Sequence, residues 1–508
     1  MIQLLPAFIA IPLLSAFVLP LFGKRKDGAT FLANIAIIAL LVLSFLFVNK
    51  TGVYVVGERS IPLGIDLVID GLSSLLLLAV SVVSFAAMLF SIRYMEQYTA
   101  KAKYLSLFML MVTGMNGVVL SGDIFNLFVF LEVASIASYA LVGFGCEHEE
   151  LEASFKYMVL GSVASAFLLF GIALVYGNTG SLNMAYIAGI IHDRGMNNGL
   201  AFALALFFVG FGLKAALVPF HAWLPDAHPS APAPISAMLS GILIKTLGVY
   251  ALARFVFNIF GITEITGWLI LVLGLISMLV GAFLAVGQSD LKRLMAYSSI
   301  SQIGYVVLGI GLGAILLSRG ETVIAGLALL GGLLHLVNHA VYKSLLFLTS
   351  GSVEMATGTR QMNQMGGLAT KLPYTRATAA VASASIVGIP PFSGFWSKMI
   401  LVVASVLAGF YWIAAIIIFV SFYTLFMYLK VHRDVFLGDL PEKMNDVKES
   451  KGTMLYAMMF LAGLCVCMGL LVLIPGLREN ILQPAINVLT SGQGYAETVK
   501  AMASASLP

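Results

Sequence analysis

The chain has 508 residues, of which 60% are hydrophobic and only 10% charged, and its mean hydropathy is +1.00. A soluble domain carries about a quarter charged residues, so this composition excludes a soluble globular protein and specifies a multi-spanning membrane protein. The formal charge of +4 is too small for a nucleic-acid binder, and Cys146, Cys465 and Cys467 form neither a CxxC pair nor a metal cluster.

Apolar runs of roughly 20 residues, the length that crosses a ~30 Å hydrocarbon core, predict about fourteen spans. They lie near residues 3–22, 30–48, 71–92, 104–121, 123–144, 157–177, 199–220, 234–257, 267–287, 294–316, 322–349, 375–404, 407–429 and 453–475. The first run has no basic n-region and no small-residue cleavage site, so it reads as a span and not as a removed signal. Alternate loops, beginning with Lys24, Arg25 and Lys26, hold 17 basic residues against 6 on the other side. Cytoplasmic loops concentrate Lys and Arg, which places both termini outside. No hinge-like linker divides the chain, and residues 1–508 read as a single integral membrane domain. Its parts are N-terminal helices in 1–103, one bundle in 104–257, a second in 267–429, a last helix in 453–475 and a short external tail over 476–508.

An ionisable side chain at the bilayer centre costs roughly 2.5–3.5 kcal/mol on insertion scales, and such residues usually face the bundle interior and mark an ion or proton path. Five basic residues fall outside the loops: Lys214, Lys245, Arg254, Lys343 and Lys398. Arg254 lies close enough to a helix end to snorkel, whereas the lysines lie too deep for that. Glu132 is the carboxylate well inside a span, and Ser135 and Tyr139 follow it on the same helix face at i+3 and i+7. A simple ion pair that locks two helices together is the plain alternative.

Lys214 and Lys245 flank "LVPFHAWLPDAHPSAPAP", where Pro219 and Pro225 break the helix. Broken backbone is tolerated at membrane depth only where protein or a water-filled cavity satisfies it. From Pro225 onward the run also reads as a turn between two spans. The proton affinity of a buried lysine depends on hydration and on a nearby acid, which suits a transferable proton, whereas an arginine holds its proton permanently. Backbone carbonyls freed at the break are the alternative partners.

In "HLVNHAVYKSLLFL", His335, His339 and Lys343 stand four apart on one helix face with Asn338 adjacent. Histidine can accept on one nitrogen while donating from the other, which suits a relay, with structural interhelical hydrogen bonding as the rival. Metal or haem ligation would want a further ligand that is not evident nearby. Lys398 follows "GIPPFSGFW", a second break at Pro390 and Pro391. Ser298, Gln302 and Tyr305 share a face that could hold water, and Gly161 and Ser165 read as helix packing.

Five ordered motifs, "FNLFVFLEVASIASYALV", "LKAALVPFHAWLPDAHPSAPAPISAMLSGILIKTLGVYALARF", "LKRLMAYSSISQIGY", "HLVNHAVYKSLLFL" and "GIPPFSGFWSK", carry a resemblance that runs from roughly Asp70 to Gly438. The sequence resembles the antiporter-like membrane subunits shared by respiratory complex I, membrane-bound [NiFe] hydrogenases and Mrp-type cation/proton antiporters. The resemblance implies an all-α integral membrane fold of about fourteen transmembrane helices, in two inverted five-helix repeats with broken seventh and twelfth helices. By motif, Glu132 and Lys214 resemble the family's ion pair and Lys245 the next relay residue. His335, His339 and Lys343 would continue a central polar axis, and Lys398 would end it.

The function so implied is proton translocation in a redox-driven ion pump of hydrogenase or complex I type. The alternatives are a subunit of an Mrp-type Na⁺/H⁺ antiporter and a non-conducting membrane scaffold. No catalytic residue, metal or cofactor is expected in this chain. The expected partners are protons, lipid, other membrane subunits including further antiporter-like ones, and iron–sulfur subunits if the assembly is redox-driven; Na⁺ is the alternative ion. The expected location is a prokaryotic inner membrane.

Overall fold

Lipid offers no hydrogen-bond partner to a backbone, so apolar runs that cross it must satisfy their own amides as helices. The computed structural model describes residues 1–23, 26–58, 61–62, 64–471 and 473–506; Lys24, Arg25 and Arg59 of the loop-charge count lie outside them. Among the described residues, twelve helices are long and apolar enough to cross a membrane. The first half holds α1 (Ala7–Val18), α2 (Lys26–Leu46), α3 (Gly71–Tyr94), α4 (Lys101–Leu120), α5 (Ile124–Val142), α6 (His148–Thr179) and the short α7 (Met184–Arg194). A β-hairpin, β1 (Gly52–Val55) and β2 (Asp66–Ile69), pairs antiparallel with Gly52 opposite Ile69 and was outside the all-helical expectation.

The two remaining predicted segments are broken helices. The first is α8 (Asn198–Lys214), a turn, then α9 (Leu224–Ser230), with Pro225 in the first turn of α9 and a cis bond at Val218–Pro219. The expected turn from Pro225 onward is thus a short helix, with Leu224, Pro225, Ala227, His228 and Pro229 all buried. It leads into α10 (Ala233–Phe260), every residue of which is buried. Next come α11 (Glu264–Val286), α12 (Leu291–Ser318) and α13 (Thr322–Thr357). The second broken segment is α14 (Pro373–Val387) and α15 (Ser393–Leu407), with a cis Pro390–Pro391 bond between them. α16 (Tyr411–Val431) and α17 (Thr453–Leu471) complete the spans.

Close packing follows from glycine. Gly267, Gly274 and Gly281 recur every seven residues on α11, and a Cβ at each would run into the backbone of Ile315, Leu308 and Ser301 on α12. Only bare Cα atoms let the two helices approach so closely.

One expectation changes. Arg254 does not snorkel: it is buried in α10, with Nη1 2.8 Å from Oδ2 of Asp70, the residue that caps α3. A buried guanidinium without a carboxylate would be costly, so each charge requires the other. The short tail expected after Pro475 packs against the bundle. Its helices α18 (Gln483–Thr490) and α19 (Tyr495–Ser506) fold back, and Asn258 donates to the Val488 and Gly492 carbonyls at 2.8 and 3.0 Å.

Candidate functional site

α8 ends where Ala216 adopts a positive φ of 54°, which turns the chain and leaves Lys214 as the last helical residue. From there its Nζ lies 2.9 Å from the Ser135 hydroxyl, 3.4 Å from that of Tyr139 and 3.5 Å from Glu132 Oε1. All three acceptors sit on one face of α5, as their spacing predicts. The Ser165 hydroxyl donates to Glu132, and a Cβ at Gly161 would overlap the Tyr139 hydroxyl. Two residues read as helix packing therefore also shape this ion pair. Trp223 closes the break: its indole N–H donates to the Leu213 carbonyl at 2.9 Å, and its ring stacks on Tyr157 at 4.2 Å.

The other lysines take backbone carbonyls. Lys245 donates to Ser240 O at 2.7 Å and to Gly241 O, inside α10, whose stretches Leu239–Leu243 and Lys245–Tyr250 are π-helical. π-turns shift the usual hydrogen-bond ladder and are frequent at functional sites. Lys398 donates to Ile386 O and Val387 O at 2.8 and 3.1 Å, the last carbonyls of α14, where the helix dipole favours a cation. Lys343 donates to Met295 O at 2.7 Å and to the Ser298 hydroxyl, which lies 3.1 Å from that of Tyr428. Of the four lysines, Lys214 has the carboxylate.

His335 bridges two helices, with Nδ1 2.9 Å from the Ser397 hydroxyl and Nε2 3.2 Å from both Gln302 Oε1 and the Tyr342 hydroxyl. Asn338 donates to Ser393 O at 2.8 Å, tying α13 to the second break. Among the described residues, His339 is fully buried with no hydrogen-bond partner on either ring nitrogen, within electrostatic reach of Lys245, Lys343, His335 and His228.

Sequence reasoning missed His228. It is fully buried on α9, both its nitrogens also lack hydrogen-bond partners among the described residues, and its ring lies 5.9 Å from Trp223 and 5.8 Å from Phe347. A histidine in the proline-rich run between Lys214 and Lys245 was the available signal. Tyr342 and Tyr428, both buried against the site, were missed as well. Beside α9 a polar cavity of about 370 Å³ is lined by Glu147, Glu150, Ser230, Lys292, Glu354 and Arg360. Lys292 lies 2.7 Å from Glu354 Oε2 and 3.3 Å from the Ala231 carbonyl at the end of α9. Among the described residues, no group of three or more His, Cys, Asp or Glu is placed to hold a metal ion.

Residues 121–424, which run from before Glu132 to beyond Lys398, match the family described as "NADH:quinone oxidoreductase/Mrp antiporter, TM". The chain belongs to this antiporter-like membrane family. Residues 56–105 match "NADH-Ubiquinone oxidoreductase (complex I), chain 5 N-terminus". The chain is 34% identical over 453 residues to the NADH-quinone oxidoreductase subunit N of Desulforudis audaxviator, covering 87% of each protein. It is 33% identical over 470 residues to a Na(+)/H(+) antiporter subunit of Alkalihalophilus pseudofirmus, covering 91% of this chain and 92% of the relative. A chain of the Mrp complex from Dietzia sp. superposes with a TM-score of 0.86 at 28% identity, over 99% of both chains. The antiporter-like subunits it resembles work within multi-subunit membrane complexes, and this chain is a multi-pass membrane protein of that kind.

Proposed function

We propose that the chain is the proton-translocating antiporter-like subunit of a redox-driven ion pump, of complex I or membrane-bound hydrogenase type. Both termini lie on the outer side of a prokaryotic inner membrane. The observation that carries this reading is Lys214: a buried amine at the end of a broken helix, held by Glu132 and two hydroxyls. A chain that only needed a scaffold would not hold so costly a group at membrane depth.

Protons enter from the polar cavity beside α9 and reach His228, whose free nitrogens can both accept and donate. His339 faces the same lysines and passes the proton between Lys245 and Lys343. His335, held between Gln302 and Ser397, links this centre to Lys398 at the second break. Glu132 controls the start. While it stays beside Lys214 it favours the charged amine, and when it moves away that proton is released toward Lys245. Electron carriers and their cofactors reside in companion subunits, including iron–sulfur subunits, and further antiporter-like subunits extend the path.

Similarity to a Na(+)/H(+) antiporter subunit and to a chain of an Mrp complex supports a second reading, in which an existing gradient drives the same axis. Gentle extraction from the native membrane, followed by mass spectrometry, separates the two. Co-purified iron–sulfur subunits support the redox pump, and small membrane proteins alone support the antiporter. Lys214→Ala in the reconstituted complex is expected to abolish coupled proton transport; transport at the wild-type rate would refute the relay, and transport also surviving neutralisation of Glu132 and Lys398 would favour a scaffold.

A further inference from the structure

At the end of the molecule that carries both termini, three segments meet at Asp66. Asp66 opens β2 and is fully buried. The Gly122 amide donates to its backbone carbonyl at 3.0 Å, and a Cβ on Gly122 would collide with its carboxyl group. The Asn183 side-chain amide donates to Oδ1 at 3.0 Å, while Oδ2 has no hydrogen-bond partner among the described residues. Asp123, itself buried, pairs with Asn183 through a backbone β-bridge at the start of α5.

The neighbouring charges do not relieve Asp66. Arg254 gives its two terminal nitrogens to Asp70, at 2.8 and 2.9 Å, and its guanidinium lies 5.0 Å from the centre of the Tyr495 ring. Tyr495 feels Asp66, Asp70 and Arg254 together, so the folded-back tail covers this cluster. Lys500 sits over the ring of Tyr186, at 4.7 Å. Among the described residues, Asp66, like Asp123, therefore remains with no cation of its own.

A metal ion is a poor occupant, because it wants several free oxygens. Asp123 Oδ1 already accepts from the Phe125 and Asn126 amides, and Asn183 Oδ1 from those of Ala185 and Tyr186. A proton needs only the one unpartnered oxygen. We propose that Asp66, with Asp123 beside it, is a proton-exchange site at this end of the first bundle, through which protons pass between the helices and the outer solution. The Asp66 carboxylate takes a proton from hydronium onto Oδ2, leaving water, and returns it by the reverse step; no electron moves. Burial, with Asp123 adding to it, pushes the Asp66 carboxyl up to about 7, in the range where such exchange occurs. The transport role rests on the proton-translocating reading above, whereas the protonation of Asp66 does not.

The test is pH-difference infrared spectroscopy of the whole complex in vesicles, with proton transport measured on the same samples. A protonated-carboxyl band is expected to grow as the pH falls through about 7 and to be lost in Asp66→Asn, which keeps an oxygen for Asn183. Asp123→Asn, which can still cap α5, should keep the band but move its midpoint downward. Asp66→Asn should also slow transport severalfold and flatten its pH profile. A band that survives Asp66→Asn, or a midpoint that moves with added Na⁺, overturns the site; an unchanged pH profile of transport overturns its role. Lys214→Ala in the same vesicles tests the relay separately, because it leaves the Asp66 band in place.

Discussion

At the scale of single residues, the buried lysines differ in what holds them, and under the proposed relay that difference marks Lys214 as the one to switch. Lys245 and Lys398 donate to backbone carbonyls, whereas Lys214 lies 3.5 Å from the side-chain carboxylate of Glu132. Tyr139 keeps its hydroxyl near Lys214 because Gly161 leaves it room. Gly161→Ala should therefore push that hydroxyl away, cost roughly 1–3 kcal/mol by overpacking, and slow proton uptake into vesicles while the complex still assembles. Asp66 has a consequence for stability. Its carboxyl is raised from 3.8 to about 7, mainly by burial. The folded state thus binds the proton more tightly than the unfolded chain, and stability is full below the unfolded value of 3.8 and falls as pH rises toward 7. The loss is on the order of a few kcal/mol. Thermal denaturation of the purified complex should show Asp66→Asn gaining on the wild type between pH 5 and pH 8, by about that amount.

At the scale of elements, the breaks and the glycine-lined seams do opposite things. The breaks interrupt the helices beside Lys214 and Lys398, while α11 and α12 are locked together along Gly267, Gly274 and Gly281. Gly274→Leu puts a branched side chain where the Leu308 backbone already lies, so it should cost at least 1–3 kcal/mol and sharply reduce the yield of assembled protein in detergent. His228 makes the complementary case on α9. His228→Phe keeps a ring between Trp223 and Phe347 but removes the titrating nitrogens, so assembly should be normal and vesicle proton transport lost. Both breaks are legible in the sequence, because prolines stand out inside apolar runs; Glu132 and Lys214 stand out singly as charges, and their pairing is implied by the resemblance to the family. Asp70 and Arg254 are not legible as a pair. Asp70 precedes a span and reads as loop, Arg254 follows one and reads as snorkelling, and only folding brings them within 2.8 Å. His228 hides for a related reason, since a proline-rich polar run looks like a turn until the structure buries it.

At the scale of the whole molecule, hydropathy counts spans but says nothing about what covers their ends. The mixed polar and apolar composition of residues 476–508 reads as a short external tail, and it does not reveal that Ala485, Ile486, Leu489, Val499 and Ala503 are buried. A helix end that stays uncapped in a low-dielectric bundle leaves polar groups without partners, and this tail supplies them. Asn258 takes the Val488 and Gly492 carbonyls, Gln493 donates to Ile259 O at 3.1 Å, and Tyr495 lies against Arg254. Removing the chain from Gln483 onward should therefore open the end of α10 without touching Lys214 or Glu132. In such a variant, a cysteine placed at Asn258 should react with a membrane-impermeant thiol reagent added from the outer side, whereas the same cysteine in the full chain should be protected. Protection that persists after truncation would mean that another part of the complex, and not the tail, covers the first bundle. Labelling only from the inner side would reverse the orientation deduced from the basic loops.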